Sequence, residues 1–210
     1  KQIRETALRP FVQSNVYFSG LFNNSIYRNQ EFFPKNKKNI AIGIPGLGSR
    51  AKFSSLAVSS LPNYDFFDKT QFFPRYKYEP IGSHKLIDKL YGEKTKLKRI
   101  SNIDFKALET FREKYSNINL SEDDLFNYVY ALLNSPEYLN YYKSIFGKEM
   151  PPIPFAPMSK QIKDFCQLGG ELIRLHTAFE KAPEFKEDLF RSDKEANLPS
   201  GFINIIKLYI

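Results

Sequence analysis

Apolar residues fall in short blocks over the first hundred positions and at helical spacing over much of the rest. Phe11-Val-Gln-Ser-Asn-Val-Tyr-Phe18 carries strand-forming residues and stops at Ser19-Gly20. Asn39-Ile-Ala-Ile-Gly-Ile44 is a short apolar run before a Gly/Pro loop, the pattern of a buried strand. Gln71-Phe-Phe-Pro-Arg-Tyr-Lys-Tyr78 alternates after Pro74, with Arg75 and Lys77 on one face and Tyr76 and Tyr78 on the other. It predicts one half-buried strand with Pro74 at its start or on a sheet edge. Glu93-Lys-Thr-Lys-Leu-Lys-Arg99 has little apolar content and reads as a solvated basic hinge.

From about residue 102 the period becomes helical. Ile103, Leu108, Phe111 and Tyr115 share one face of a first helix. Ser121-Glu-Asp-Asp124 is a capping-box start with Asp124 in the Glu/Gln role, and its acids complement the positive end of the helix dipole. The helix it opens runs through Leu125 to Leu133. Ser135-Pro136-Glu137 is a second start, with Ser as N-cap and Pro at the first helical position, and that helix is predicted to stop at Gly147. Met150-Pro-Pro-Ile-Pro-Phe-Ala-Pro157 excludes helix and predicts an extended connector. Ser159 is the expected cap of a last helix over 160–181, with Phe165, Leu168, Leu172, Leu175 and Phe179 at helical period. The reading is α+β, with a β-rich part over residues 1–100 and a helical part over 101–210 that packs against it and ends in a strand-like tail.

Charge divides along the same line. Residues 1–100 hold 18 Lys and Arg against 7 Asp and Glu, and residues 101–210 hold 13 against 16. The whole basic excess therefore lies in the β-rich part, as in a polyanion-binding region joined to a neutral one. The chain is 42% hydrophobic with 20 Phe and 13 Tyr, enough apolar bulk to offset the entropy of folding. One cysteine, Cys166, excludes an internal disulfide and a cysteine-only zinc site. With no apolar run near the ~20 residues of a membrane span, and no signal-peptide pattern, a cytoplasmic setting is expected. The start at Lys1 without Met and the apolar close over 202–210 read as a piece cut from something longer.

The sharpest local feature is Gly43-Ile-Pro-Gly-Leu-Gly-Ser-Arg50, after a predicted strand. As a P-loop it fails, because Ser49-Arg50 stands where Lys-Ser/Thr is needed, and its glycine spacing also fails the dinucleotide fingerprint. It reads either as a plain turn or as a loop that presents Ser49, Arg50 and Lys52 to nucleic acid. Arg can fork onto guanine, and Lys and Ser suit phosphate. Lys35, Lys37 and Lys38 form a second basic cluster, suited to phosphate or to an ordinary exposed loop. Asn23, Asn24 and Arg28 lie among aromatics, and Arg75 and Lys77 share a strand face; Asn can read adenine and Arg guanine. The two histidines, His84 and His176, are far apart and show no metal-ligand spacing. His176, beside Leu175, is expected to be a core or boundary residue. The ladder Phe126, Tyr128, Tyr130, Tyr138, Tyr141 and Tyr142 reads as packing before it reads as a base-stacking platform.

Several stretches together resemble one known family. They are Leu8-Arg-Pro-Phe11 with Val16-Tyr-Phe18, Gln71-Phe-Phe-Pro74, and Asp124-Leu-Phe-Asn-Tyr-Val-Tyr-Ala-Leu-Leu-Asn-Ser-Pro-Glu-Tyr138, continuing into Pro151–Phe155 and Leu168–His176. In this order they are similar to the C-terminal specificity region of type ISP restriction–modification enzymes, with Arg75 a departure where an aliphatic residue is expected. The resemblance implies a target-recognition part with no catalytic site or cofactor of its own. Its implied partners are double-stranded DNA and the upstream domains of the same chain: a nuclease, a helicase-like ATPase motor and an adenine methyltransferase, which would use ATP, Mg2+ and S-adenosylmethionine. Two other readings stay open: a protein-interaction scaffold without base readout, and a nucleotide-binding enzyme using the Gly43–Gly48 loop.

Overall fold

The computed structural model describes residues 3–23, 26–81 and 96–181. The chain divides into two units, Lys1–Phe179 and Glu180–Ile210, and every element below lies in the first. Asn24, His84, residues 93–95 of the basic hinge and the strand-like tail fall outside the described residues.

Among the described residues eight strands form three small sheets. β1 (Ile3–Arg9) and β2 (Val12–Tyr17) are an antiparallel hairpin with a register shift between Ala7 and Arg9, and β5 (Leu61–Pro62) joins β1 in parallel. In the second sheet β3 (Ala41–Pro45) lies between β4 (Leu56–Val58) and β6 (Thr70–Pro74). β7 (Tyr76–Pro80) pairs with β8 (Leu97–Ser101) in the third.

The expected single strand over 71–78 is thus two strands in two sheets. The break is at Arg75, whose N–H donates to the Ile40 carbonyl and whose carbonyl accepts from Asn102. Pro74 ends β6 rather than starting a strand, although β6 is an edge strand, where a missing donor costs no ladder bond. Leu97, Lys98 and Arg99, expected in a solvated hinge, form half of the β7–β8 pair.

All five residues of β3 are buried, as its apolar run requires. Ile42 and Ile44 pack into a core shared with the helices, whereas Ala41 packs with Ala7, Phe33, Leu56, Val58, Leu61 and Phe66 in a second core. The central sheet therefore divides two hydrophobic clusters and fastens the helices to the strands.

Among the described residues a short helix α1 (Asn29–Phe32) precedes β3, and four α-helices follow β8. α2 (Phe105–Lys114) is N-capped by Asp104, whose carboxylate accepts from the Lys106 and Ala107 N–H groups. α3 (Glu122–Leu133) starts with the expected Ser121–Asp124 capping box, and α4 (Pro136–Tyr142) with Ser135 as N-cap. α4 ends at Tyr142 rather than Gly147, and single turns carry the chain on to Gly147 at φ +77°. The Pro-rich stretch is extended and lacks bonds of its own. Its carbonyls at Pro152, Pro154 and Ala156 accept from the hydroxyls of Tyr138, Tyr128 and Tyr115 at 2.6–2.8 Å.

α5 (Ser159–Thr177) begins one residue before expectation. Its N-cap is Met158, whose N–H donates to the Gln161 side chain. Its buried seam is Ile162, Cys166, Gly169 and Ile173, while Leu168 and Leu175, expected in the apolar stripe, are more than half exposed. The cause is Gly169. A Cβ there would lie 1.9 Å from the Asn127 carbonyl oxygen, so α3 and α5 meet backbone to backbone at this residue, and the seam centres on it rather than on the leucines.

Candidate functional site

The loop after β3 and the loop before β6 are built as one platform. Gly46 donates its N–H to the Lys69 carbonyl, and a Cβ on Gly46 would stand 2.2 Å from that oxygen. Lys69 itself adopts the left-handed region, at φ +48°. Asp68 accepts from the Arg50 N–H at 2.9 Å and from the Ser49 hydroxyl at 3.2 Å. The Arg50 N–H bond is the main reason its carboxyl is held below the usual carboxylate range.

The N–H groups of Gly46, Gly48, Ser49 and Arg50 all have internal acceptors: Lys69, Gly147, Gly46 and Asp68. A phosphate-cradling loop needs such groups free. This geometry removes the basis of the nucleotide-site reading and leaves the loop as a rigid support for side chains.

Beside the platform lies an open cleft of about 660 Å3. Tyr27, Asn29, Leu47, Tyr64, Lys69 and Gln71 are among its walls. Tyr27 and Tyr64 are substantially exposed, with near-parallel rings whose centroids are 6.3 Å apart. Tyr27, like Lys69, has positive φ, at +44°. Two non-glycine residues in this sparsely populated region on one cleft mark a place where the fold holds backbone strain, as functional sites often do. The side chains of Asn29 and Gln71 make no hydrogen bond to any described residue.

The residues singled out by sequence fall into several groups. Arg28 lines the cleft, but its guanidinium forks onto Glu31 at 2.7 and 2.8 Å and lies over the Phe32 ring. That fork holds the Glu31 carboxyl below its ordinary value. Ser49 and Arg50 sit on the platform. Lys52 lies in a separate recess with Lys143 and Phe146. Lys35, Lys37 and Lys38 are exposed in the turn before β3. Asn23 closes a turn, its Oδ1 accepting from the Ser19 N–H at 2.6 Å. Lys77 pairs with Glu79 at 2.7 Å.

Arg75 is committed to the fold. Its side chain is 15% exposed, it pairs with Asp123 at the start of α3, and it lies over the rings of Tyr76 and Phe126. Burial pushes the Asp123 carboxyl up, but hydrogen bonds from Arg75 and Tyr76 outweigh it and the net shift is down. Arg75 and Lys77 are thus paired within the fold, and Lys52 lines a recess other than the cleft. The cleft gathers Arg28 with Lys69, which was not singled out, and Lys37, Lys38, Arg50 and Lys52 form no salt bridge with a described residue.

Tyr27, Asn29, Tyr64, Lys69 and Gln71 carried no local signal, because the cleft draws them from three separate segments. His176 is a boundary residue as expected, bonded through Nδ1 to the Tyr130 hydroxyl. Phe126, Tyr128, Tyr130 and Tyr138 of the aromatic ladder are core, whereas Tyr141 is 78% exposed. Among the described residues no group of His, Cys, Asp and Glu could hold a metal ion, and no helix is long and apolar enough to cross a membrane.

Residues 1–201 match the family model of the type ISP C-terminal specificity domain. Among solved structures, the chain is similar to one in the cryoEM structure of a DrdV–DNA complex, at 32% identity and TM-score 0.75, over 87% of this chain and 16% of that one. It is similar to LlaBIII, an ATP-dependent type ISP restriction-modification enzyme solved bound to DNA, at 26% identity and TM-score 0.72 over 87% of this chain and 11% of that one. A third likeness is to a nuclease-deletion mutant of the type ISP enzyme LlaGI, in complex with a DNA substrate mimic, at 26% identity and TM-score 0.67, over 89% of this chain and 12% of that one. The chain thus spans 11–16% of the length of these chains. Comparison with curated protein sequences yields no match.

Proposed function

We propose that this chain, which belongs to the type ISP C-terminal specificity domains, recognises a double-stranded DNA target and holds the rest of a longer restriction–modification enzyme on it. The observation that carries this reading is the likeness, over 87% of the chain, to part of the type ISP restriction-modification enzyme LlaBIII solved bound to DNA. The charge division supports it, since the basic excess lies wholly in residues 1–100. Lys37, Lys38, Arg50 and Lys52 neutralise phosphates, and side chains around the platform read bases. Methyl transfer, ATP hydrolysis and cleavage, with their S-adenosylmethionine, ATP and Mg2+, belong to other parts of that longer cytoplasmic enzyme. The fragment is a recognition part without a reaction of its own.

The test is binding of the 210-residue chain to a duplex at 50 and 200 mM salt, beside an Arg50→Ala/Lys52→Ala variant. Binding should weaken steeply with salt, and the variant's log–log salt slope should be smaller by about two, one for each phosphate no longer neutralised. Absence of binding at low salt counts against recognition and favours the scaffold reading, for which the exposed Leu168 and Leu175 are the available surface.

A further inference from the structure

The cleft beside the platform is concave, and a recess cannot read base edges by entering a DNA groove. Elements that do so are convex, as an α-helix or a β-ribbon in the ~12 Å major groove is. A recess receives what protrudes from the duplex. Its walls have the composition that grips a nucleobase: aromatic faces to stack on, and amide groups to meet a Watson–Crick edge.

We propose that this cleft takes a single nucleobase rotated out of the DNA stack, held against Tyr27 and Tyr64 and read by Asn29 and Gln71. The inference rests on the DNA-recognition reading above. The two rings are parallel within 19° and their centroids 6.3 Å apart. One planar base between two aromatic rings needs about 6.8 Å, twice the 3.4 Å stacking interval along a strand. Tyr27 is 68% and Tyr64 49% exposed, so both side chains are within reach of a guest. The amides of Asn29 and Gln71 line the same cleft without a hydrogen-bonded partner among the described residues. Such an amide presents one donor and one acceptor together, the bidentate pattern that matches an adenine edge. Lys69, its Nζ on the Gly48 carbonyl at 3.3 Å, stands on the wall where the nucleotide's phosphate passes. The strained backbone at Tyr27 and Lys69 positions these walls, and the exposed Tyr27 and Tyr64 rings part slightly to admit the base.

The test uses the 210-residue chain and two duplexes that differ only by one unpaired 2-aminopurine nucleotide, a bulge, at the centre. Binding is followed by anisotropy and by 2-aminopurine fluorescence. The bulged duplex should bind at least about tenfold tighter, the factor one base-stacking contact supplies, and its fluorescence should fall on binding. Tyr64→Ala and Tyr27→Ala should lose both effects, while Tyr64→Phe keeps both. Gln71→Ala should keep the quench but, on further duplexes bulged with A, C or T, lose the preference for A that the wild type should show. Both tyrosines are exposed, so an unchanged thermal midpoint shows that the variants are folded.

Salt-dependent binding of both duplexes with equal affinity and no quench overturns the base slot and leaves DNA recognition standing. Failure to bind either duplex overturns both. Saturable binding of free dAMP that Tyr64→Ala abolishes, without any preference for the bulge, makes the cleft a mononucleotide site and overturns the proposal as stated.

Discussion

The helical region and the strand-and-loop region are equally rich in aromatic and polar side chains, and they use them in opposite ways. In the helices, polar tips turn inward to backbone groups. Tyr115, Tyr128 and Tyr138 satisfy three carbonyls of the Pro-rich stretch, and Tyr130 accepts from the Ala57 N–H of β4 at 2.8 Å. These hydroxyls are accounted for by the fold, and burial pushes all four upward in pKa, Tyr138 to about 12. Around the platform it is backbone groups and the Asp68 carboxylate that close the loops, which leaves the side chains of Tyr27, Tyr64, Asn29 and Gln71 to line the cleft. A buried polar group without a partner costs stability, so the inward use is scaffold. An exposed amide or ring held on rigid backbone costs little and stays available to a ligand. Partner accounting therefore separates support from site better than residue type does.

The sharpest way to break this comparison is Gly169→Ala. The added methyl would meet the Asn127 carbonyl oxygen, carbon and Cα at 1.9, 2.7 and 3.2 Å. These are backbone atoms, so relief requires α3 and α5 to move apart along their whole contact. The expected loss is about 3 kcal/mol, the upper end of overpacking costs, read as a lower urea midpoint with unchanged m-value. A variant as stable as the wild type would mean that the seam does not depend on this approach.

Next in size is the junction of the two regions. His176 on α5 meets the Tyr130 hydroxyl of α3, that hydroxyl accepts from β4, and the Phe11 ring of the β1–β2 turn lies edge-on to the imidazole. The hydroxyl accepts from the Ala57 N–H, and its own proton is available to Nδ1 of a neutral imidazole. Burial pushes its pKa below the ordinary 6.5. The folded state then binds fewer protons than the unfolded chain as pH falls below 6.5, so stability is full above that value and declines beneath it. A single group sets a ceiling of about 1.4 kcal/mol per pH unit on the slope. Unfolding curves at pH 7.5, 6 and 5 should show the decline, and His176→Asn, which keeps an acceptor near Nδ1, should flatten it. The depressed carboxyls of Glu31, Asp68 and Asp123 act in another window: their contribution is complete above the ordinary carboxylate range and is lost below it. A slope between pH 5 and 6.5 that survives His176→Asn would assign the sensitivity elsewhere.

What could be read from the chain follows a physical divide. The Ser121–Asp124 box, the Ser135-Pro136 start and the buried run of β3 were legible because each is settled by residues within one turn or one strand. Arg75 was misleading. Alternation placed it on one strand face with Lys77, whereas Asp123, far along the chain, draws its side chain into an ion pair, and its backbone bonds to Ile40 and Asn102 mark the break between two strands. The cleft was illegible for the same reason, since Tyr27, Tyr64 and Gln71 meet only through the loops that Gly46 and Asp68 bring together. The seam of α5 was misread because apolar periodicity counts leucines, and a glycine that lets two backbones touch carries no hydrophobic signal.

The smallest expected effect lies on the leucine face of α5. Periodicity puts Leu168 in the packed stripe, and truncating or polarising a packed leucine costs about 2–5 kcal/mol. In the fold Leu168 is 58% exposed and lies next to, not on, the line from Ile162 through Cys166 and Gly169 to Ile173. Leu168→Gln should therefore stay within about 0.5 kcal/mol of the wild type, as an exposed substitution does, whereas Ile173→Ala, four residues past Gly169, should lose several times more. Equal losses from the two would restore the stripe read from periodicity and turn α5 about its axis. A neutral Leu168→Gln beside a costly Ile173→Ala fixes the packed face of the helix on Gly169, and leaves the leucine face of α5 open to solvent in this unit.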